Sequence, residues 1–221
     1  MSGLPSLLPK TIFKTNSPIN GEISVIELYG RNKIVVGGLT QSGPIAEEIW
    51  GKAINKYQIT NFKLQISNIL VLGVGGGSLI KLLNQSYPQA KIVGVEIDPI
   101  MINLGKQYLG LDTAKNLEII INDAYNYLQS AIRHKLTYDL IFIDMYLGDK
   151  IPDRCQSEEF LQNLKKIMAK NGIVFFNRLY YKNHISEAEI FLDKIKKIFN
   201  YFNAIKIFAN LFIYAVKNEQ C

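Results

Sequence analysis

The chain has 221 residues, of which 48% are hydrophobic and 20% charged, a balance that supports a packed core and excludes wholesale disorder. This is about one and a half times a typical domain, so one full-sized domain with a small appendage fits better than two equal ones. Lys and Arg number 25 against 19 Asp and Glu, a formal charge of +6; the excess is mild and scattered over predicted helix faces, so neither nucleic acid nor membrane is expected as a partner.

Two cysteines, Cys155 and Cys221, cannot build a disulfide framework. Two histidines, His134 and His184, lie far apart with no metal-ligand spacing around them, so no metal is expected. The longest apolar stretches, such as Ile207–Val216, are too short to cross a bilayer, and Met1–Lys10 lacks the charged start and long apolar run of a signal peptide. The expectation is a soluble protein of a reducing, cytoplasmic compartment.

Up to about Asn61, short runs rich in Ile and Val (Thr11–Thr15, Glu22–Tyr29 and Lys33–Val36) are separated by Ser-Pro, Asn-Gly and Gly-Arg-Asn turn signals and predict a small antiparallel β unit. A helix follows over Pro44–Tyr57, with Ile45, Ile49, Ala53 and Ile54 on one stripe and Trp50 beside it. From Asn68 the pattern alternates. Asn68–Gly73, Lys91–Glu96, Leu117–Ile121, Tyr138–Asp144 and Gly172–Asn177 predict strands. Gly77–Ser86, Pro99–Leu109, Ala124–Leu128 and Glu158–Lys170 predict helices between them. Continuously apolar strands separated by helices imply a mostly parallel sheet covered on both faces, a Rossmann-like α/β fold. Glu187–Phe199 is a further helix, and Ala204–Phe208 with Leu211–Val216 a terminal hairpin. The expected division is a β unit with connecting helix over 1–62 and the α/β domain over 63–221.

Three features end the first three strands of that domain, where open α/β sheets bind ligands. Leu72-Gly-Val-Gly-Gly-Gly-Ser78 leaves a strand and opens a helix. Its glycines Gly73, Gly75 and Gly77 let the backbone turn sharply beside a ligand. Glu96, at the end of the second strand, is placed to accept both hydroxyls of a ribose. Asp98 before Pro99 reads instead as a helix N-cap with proline at the first helical position. After the third strand, Asn122-Asp123-Ala124 offers a carboxylate to an adenine amino group and a neighbouring N–H to the ring. A nicotinamide dehydrogenase shares the first two features, but Ser78 occupies the final glycine position of its fingerprint. An adenosine that belongs to S-adenosylmethionine or a relative fits better.

These segments, with Tyr138-Asp-Leu-Ile-Phe-Ile-Asp144, Gly148-Asp-Lys-Ile-Pro152, Glu159-Phe160, Asn20-Gly-Glu-Ile-Ser-Val-Ile-Glu27 and Gly38-Leu-Thr-Gln41, resemble the spermidine synthase-like branch of the S-adenosylmethionine-dependent methyltransferase superfamily, class I. The resemblance implies a transferase acting in methyl transfer or in polyamine biosynthesis. It puts the ribose acid on Glu96 with Ile97 beside it, the adenine contact on Asp123 and Ala124, and the glutamine near the cofactor on Gln41. The acid that holds and deprotonates an attacking amine falls on Asp144, and the loop that closes over the site on Met145–Pro152. An alkylamine is protonated at neutral pH and lacks the lone pair for attack, so a carboxylate at the rim has a chemical reason to be there. Tyr146 and Asp149 on the loop are further catalytic candidates. Related enzymes are commonly dimers or tetramers, which makes a homodimer an expectation too.

The pattern departs from true aminopropyltransferases in one direction. The Asp they carry inside the glycine loop is Gly76 here, and the Tyr, His or Gln, and Glu that face their amine substrate fall on Trp50, Gly51 and Lys52. A lysine in place of a carboxylate repels a polyamine. Three readings stay open: methyl transfer from S-adenosylmethionine to a small acceptor, aminopropyl transfer from the decarboxylated form to a diamine through a rebuilt site, and a non-catalytic adenosine-binding or interaction protein that kept the fold.

Overall fold

The structure is a computed structural model and describes residues 8–57 and 65–217. Four strands, β1 (Lys10–Ser17), β2 (Gly21–Leu28), β3 (Arg31–Val36) and β4 (Leu39–Ser42), form an antiparallel meander in that order. Ile23, Val25, Ile34 and Val36 alternate along β2 and β3 and bury one face of the sheet against Met101 and Leu104. Strand β4 was not foreseen: four residues between Gly38 and Gly43 are too few to show a period.

Helix α1 (Pro44–Lys56) leads towards the large sheet, and its buried Trp50, Ala53 and Ile54 join that sheet's core. The expected boundary at 62/63 lies outside the described residues. The seven-stranded sheet has the order β10-β11-β9-β8-β5-β6-β7. Strands β5 (Asn68–Leu72), β6 (Lys91–Glu96), β7 (Leu117–Ile121), β8 (Tyr138–Ile143) and β9 (Met168–Leu179) run parallel, while β11 (Asn210–Val216) pairs antiparallel with β9 and with β10 (Tyr201–Ile207). Helices α2 (Ser78–Ser86) and α3 (Pro99–Leu109) lie in the first part of the domain, α4 (Ala124–Arg133), α5 (Glu158–Ile167) and α6 (His184–Ile198) in the second. Period-2 alternation divides the core: Ile69 and Val71 of β5 pack with Trp50, Ile80 and Phe142, while Leu70 and Leu72 pack with Leu128, Phe160 and Phe176. The chain thus has a mixed sheet in a Rossmann-like arrangement, with a small antiparallel sheet before it. Among the described residues no helix is long and apolar enough to cross a membrane.

The structure revises three helix ends. Helix α4 runs on to Arg133, α6 begins at His184, and α5 stops at Ile167 where Met168 enters β9. Met168 is fully buried and pairs with Tyr138, so burial in the sheet overrides the helical continuation to Lys170. Asp98 caps α3 by accepting from Ile100 N–H at 2.9 Å and also accepts from Ser17 Oγ and Asn20 Nδ2, fastening the small sheet to the large domain.

Candidate functional site

The strand order reverses at β5, whose neighbours β6 and β8 lie on either side of it. A cavity of ≈ 350 Å³ opens there, its walls including Gly73, Gly75, Glu96, Asp123, Asp144 and Trp50.

Gly73 has φ +89°, and a Cβ there would overlap the main-chain oxygen of Asp144, so only glycine lets the turns after β5 and β8 meet. Gly75 N–H donates to Glu96 Oε2 at 2.8 Å. Gly77 lies outside the cavity wall; at φ +93° it leads into α2, with Leu111 packed where a side chain would go. Gly76 faces away as well: a Cβ would come within 2.6 Å of Ile34 Cδ1 and 2.8 Å of Leu109 Cδ1. Gly76 therefore leaves no room for a cofactor group, because the space beside it is filled by the small sheet and α3.

Glu96 is buried at the end of β6 and lines the cavity with Ile97. Its Oε1 accepts from the N–H groups of Ile97 and Asp98 at 2.9 and 3.0 Å. Burial raises its pKa, and the three N–H donors pull it partly back. Asp123 and Ala124 line the cavity after β7. Asp123 Oδ1 caps α4, accepting from Tyr125 and Asn126 N–H, and Oδ2 pairs with Arg154.

Asp144 follows β8 and is partly accessible from the cavity. Oδ2 accepts from Trp50 Nε1 at 2.7 Å and Oδ1 from Asn177 Nδ2 at 2.9 Å, while Asn177 Oδ1 accepts from Asn210 Nδ2 at 2.8 Å. The protein packed around the carboxyl raises its pKa, against the pull of both donors. Gln41 lines the cavity from β4, and its Nε2 donates to the carbonyl of Gly148 at 3.1 Å, latching the small sheet onto the loop after β8.

The two loop candidates differ in placement. Tyr146 lines the cavity, but its hydroxyl donates to Asn177 O and accepts from Leu179 N–H at 2.7 Å, so it is engaged in holding the chain. Asp149 lies outside the cavity wall, half exposed, 3.4 Å from His184 Nε2. Sequence reasoning did not find Asn177 and Asn210; the one available signal was a polar residue at the end of an otherwise apolar strand. Tyr181, which no sequence motif singles out, also lines the cavity.

The family model described as "Methyltransferase domain" matches residues 65–214, and the chain belongs to that family. It is 30% identical over 116 residues to a polyamine aminopropyltransferase of Vibrio vulnificus, covering 52% of this chain and 39% of that protein. It is 31% identical, also over 116 residues, to an eEF1A lysine and N-terminal methyltransferase homolog of Drosophila melanogaster, covering 50% and 17%. The chain thus spans less than half the length of these two curated relatives. Among solved structures it resembles spermidine synthase from Thermotoga maritima, with a TM-score of 0.76 at 18% identity, covering 95% of this chain and 73% of that one. Human methyltransferase-like protein 13 in complex with SAH gives 0.65 at 23% identity, covering 76% and 81%. The fold is that of S-adenosylmethionine-dependent transferases, of both the methyl-transferring and the aminopropyl-transferring kind.

Proposed function

We propose that this protein is an S-adenosylmethionine-dependent transferase that methylates an amine nitrogen on a small acceptor. The observation that carries the reading is that Glu96 and Asp144, at the ends of the two strands flanking β5, face one cavity. The donor set fits an adenosine: Glu96, which accepts three N–H bonds, keeps an acceptor position for a ribose hydroxyl, and Asp123 and Ala124 lie one strand further along for the base. When bound, the cofactor supplies a sulfonium carbon that is already a good electrophile. The work left to the chain is orientation and removal of a proton. Asp144 accepts that proton from the amine, and its raised pKa makes it a stronger base than an ordinary carboxylate. Lys52 stands where the resemblance to aminopropyltransferases puts a carboxylate, which favours methyl transfer.

One observation favours aminopropyl transfer instead. Among the described residues the cavity wall holds Glu96, Asp123 and Asp144 but no Lys, Arg or His to meet the carboxylate of the intact cofactor. Titration calorimetry with S-adenosylmethionine and its decarboxylated form decides between them: tighter binding of the intact form is expected, and preference for the decarboxylated form reverses the assignment. D144N is expected to abolish transfer while S-adenosylhomocysteine still binds. Failure of both forms and of S-adenosylhomocysteine to bind removes the transferase reading altogether.

A further inference from the structure

We infer that the acceptor is a monoamine on an apolar stem and that the site discriminates against diamines; this rests on the transferase reading above. Of the three carboxylates in the cavity wall, Glu96 and Asp123 follow β6 and β7, on the far side of β5 from Asp144. The acceptor end therefore offers one anion. Acidic residues on bordering elements are engaged elsewhere: Glu47 with Lys81, Glu48 with Lys52, Asp149 with His184, and Asp153 with Gln156.

Beyond the Trp50 and Asn177 side chains that hold Asp144, the cavity wall offers aliphatic side chains. Ile45 and Ile49 of α1, Leu147 of the loop, Leu179 at the end of β9, and Ala209 between β10 and β11 line the same cavity. Ile45 is 52% and Leu147 38% exposed, so large aliphatic side chains stand at the mouth, where a stem can lie against them. Beyond them is a cation. Lys52 Nζ lies 4.1 Å from the centre of the Phe208 ring, and Phe208 adjoins the cavity-lining Ala209. Glu48, one turn earlier on α1, is paired with Lys52 at 2.6 Å. An ammonium held by Asp144 is matched by charge; a second one on the same stem meets aliphatic side chains and then a Lys52–Glu48 pair whose charges already cancel, with no spare anion to take it.

The test compares n-pentylamine, cadaverine and n-pentanol by titration calorimetry on protein saturated with S-adenosylhomocysteine. The two amines have the same stem, so their difference isolates the second ammonium. Pentylamine is expected to bind about tenfold tighter than cadaverine, the direction set by an unmatched like charge. K52E is expected to narrow or invert that ratio, and D144N to abolish the advantage of pentylamine over pentanol. Cadaverine binding as tightly as pentylamine, an unchanged ratio in K52E, or binding of neither amine overturns the inference while leaving the transferase reading in place. If S-adenosylhomocysteine itself does not bind, both fall.

Discussion

The indole N–H of Trp50 donates to Asp144 Oδ2 at 2.7 Å across 94 positions of sequence, joining α1 to the end of β8. A donor to the ionised form lowers a carboxyl pKa, so this bond opposes the rise that burial imposes on Asp144. W50F keeps the ring and removes the N–H. The expected result is a further rise in the Asp144 pKa, because the ionised form loses one of its two donors. Asp144 holds an ammonium only when ionised, so the acid limb of n-pentylamine binding should move to higher pH. A limb that stays in place would separate Trp50 from the titration of this carboxylate.

Glu96 is expected to set the affinity for the nucleoside half of the cofactor. E96Q loses the charge that strengthens bonds to ribose hydroxyls, and S-adenosylhomocysteine binding should weaken by about tenfold or more. The pH dependence has a definite sign. The folded-state pKa lies above the unfolded value, so the stability this group contributes is fully present below the unfolded pKa and is lost as pH rises through the folded one. Binding runs the opposite way, weakening as the pH falls through the folded pKa and the carboxylate is protonated. Calorimetry as a function of pH should show that slope in the parent chain and not in E96Q; identical slopes would place the titration elsewhere.

Restoring an aspartate in the glycine loop should not create an aminopropyltransferase. In G76D the new Cβ meets Ile34, Leu109 and Ser42 at under 3 Å, and the carboxylate has no water-filled space to enter. Overpacking of this kind costs about 1–3 kcal/mol. Chemical denaturation should report that loss, with no gain in affinity for decarboxylated S-adenosylmethionine. A gain would show that the loop can turn this side chain into the cavity.

Tyr146 is expected to act through structure. Y146F leaves the Leu179 N–H without its partner and should cost about 1–3 kcal/mol of stability. S-adenosylhomocysteine and n-pentylamine should bind within a few-fold of the parent chain at a temperature where both are folded. D149N, altering a residue outside the cavity, should leave both stability and binding close to unchanged. Loss of amine binding in Y146F at full foldedness would return its hydroxyl to the site.

The alternation from Asn68 onward was legible because buried parallel strands are apolar without interruption, and because Gly73, Glu96 and Asp123 each end one of them. Helix ends were less so: nothing in Glu158–Lys170 announces that Met168 is needed inside the sheet. Gly76 is another case, since composition says that a glycine fits there and only the packing of Ile34 and Leu109 says which way it points. The surroundings of Asp144 were the least legible part. Trp50, Asn177 and Asn210 come from α1, β9 and β11, and no spacing in the sequence encodes their meeting. Gln41 looked like a ligand contact, while its hydrogen bond to Gly148 needed the fold to bring β4 against the loop.

Asn210 opens β11, the strand inserted between β9 and β10, and through Asn177 it belongs to the set of donors around Asp144. A ribosome delivers Trp50 early and Asn210 late, so a nascent chain can build its glycine loop long before its proton acceptor is in order. The hairpin that completes the sheet also supplies the last link of the hydrogen-bonded chain that ends on Asp144, so that carboxylate is fully held only once β11 has joined the sheet.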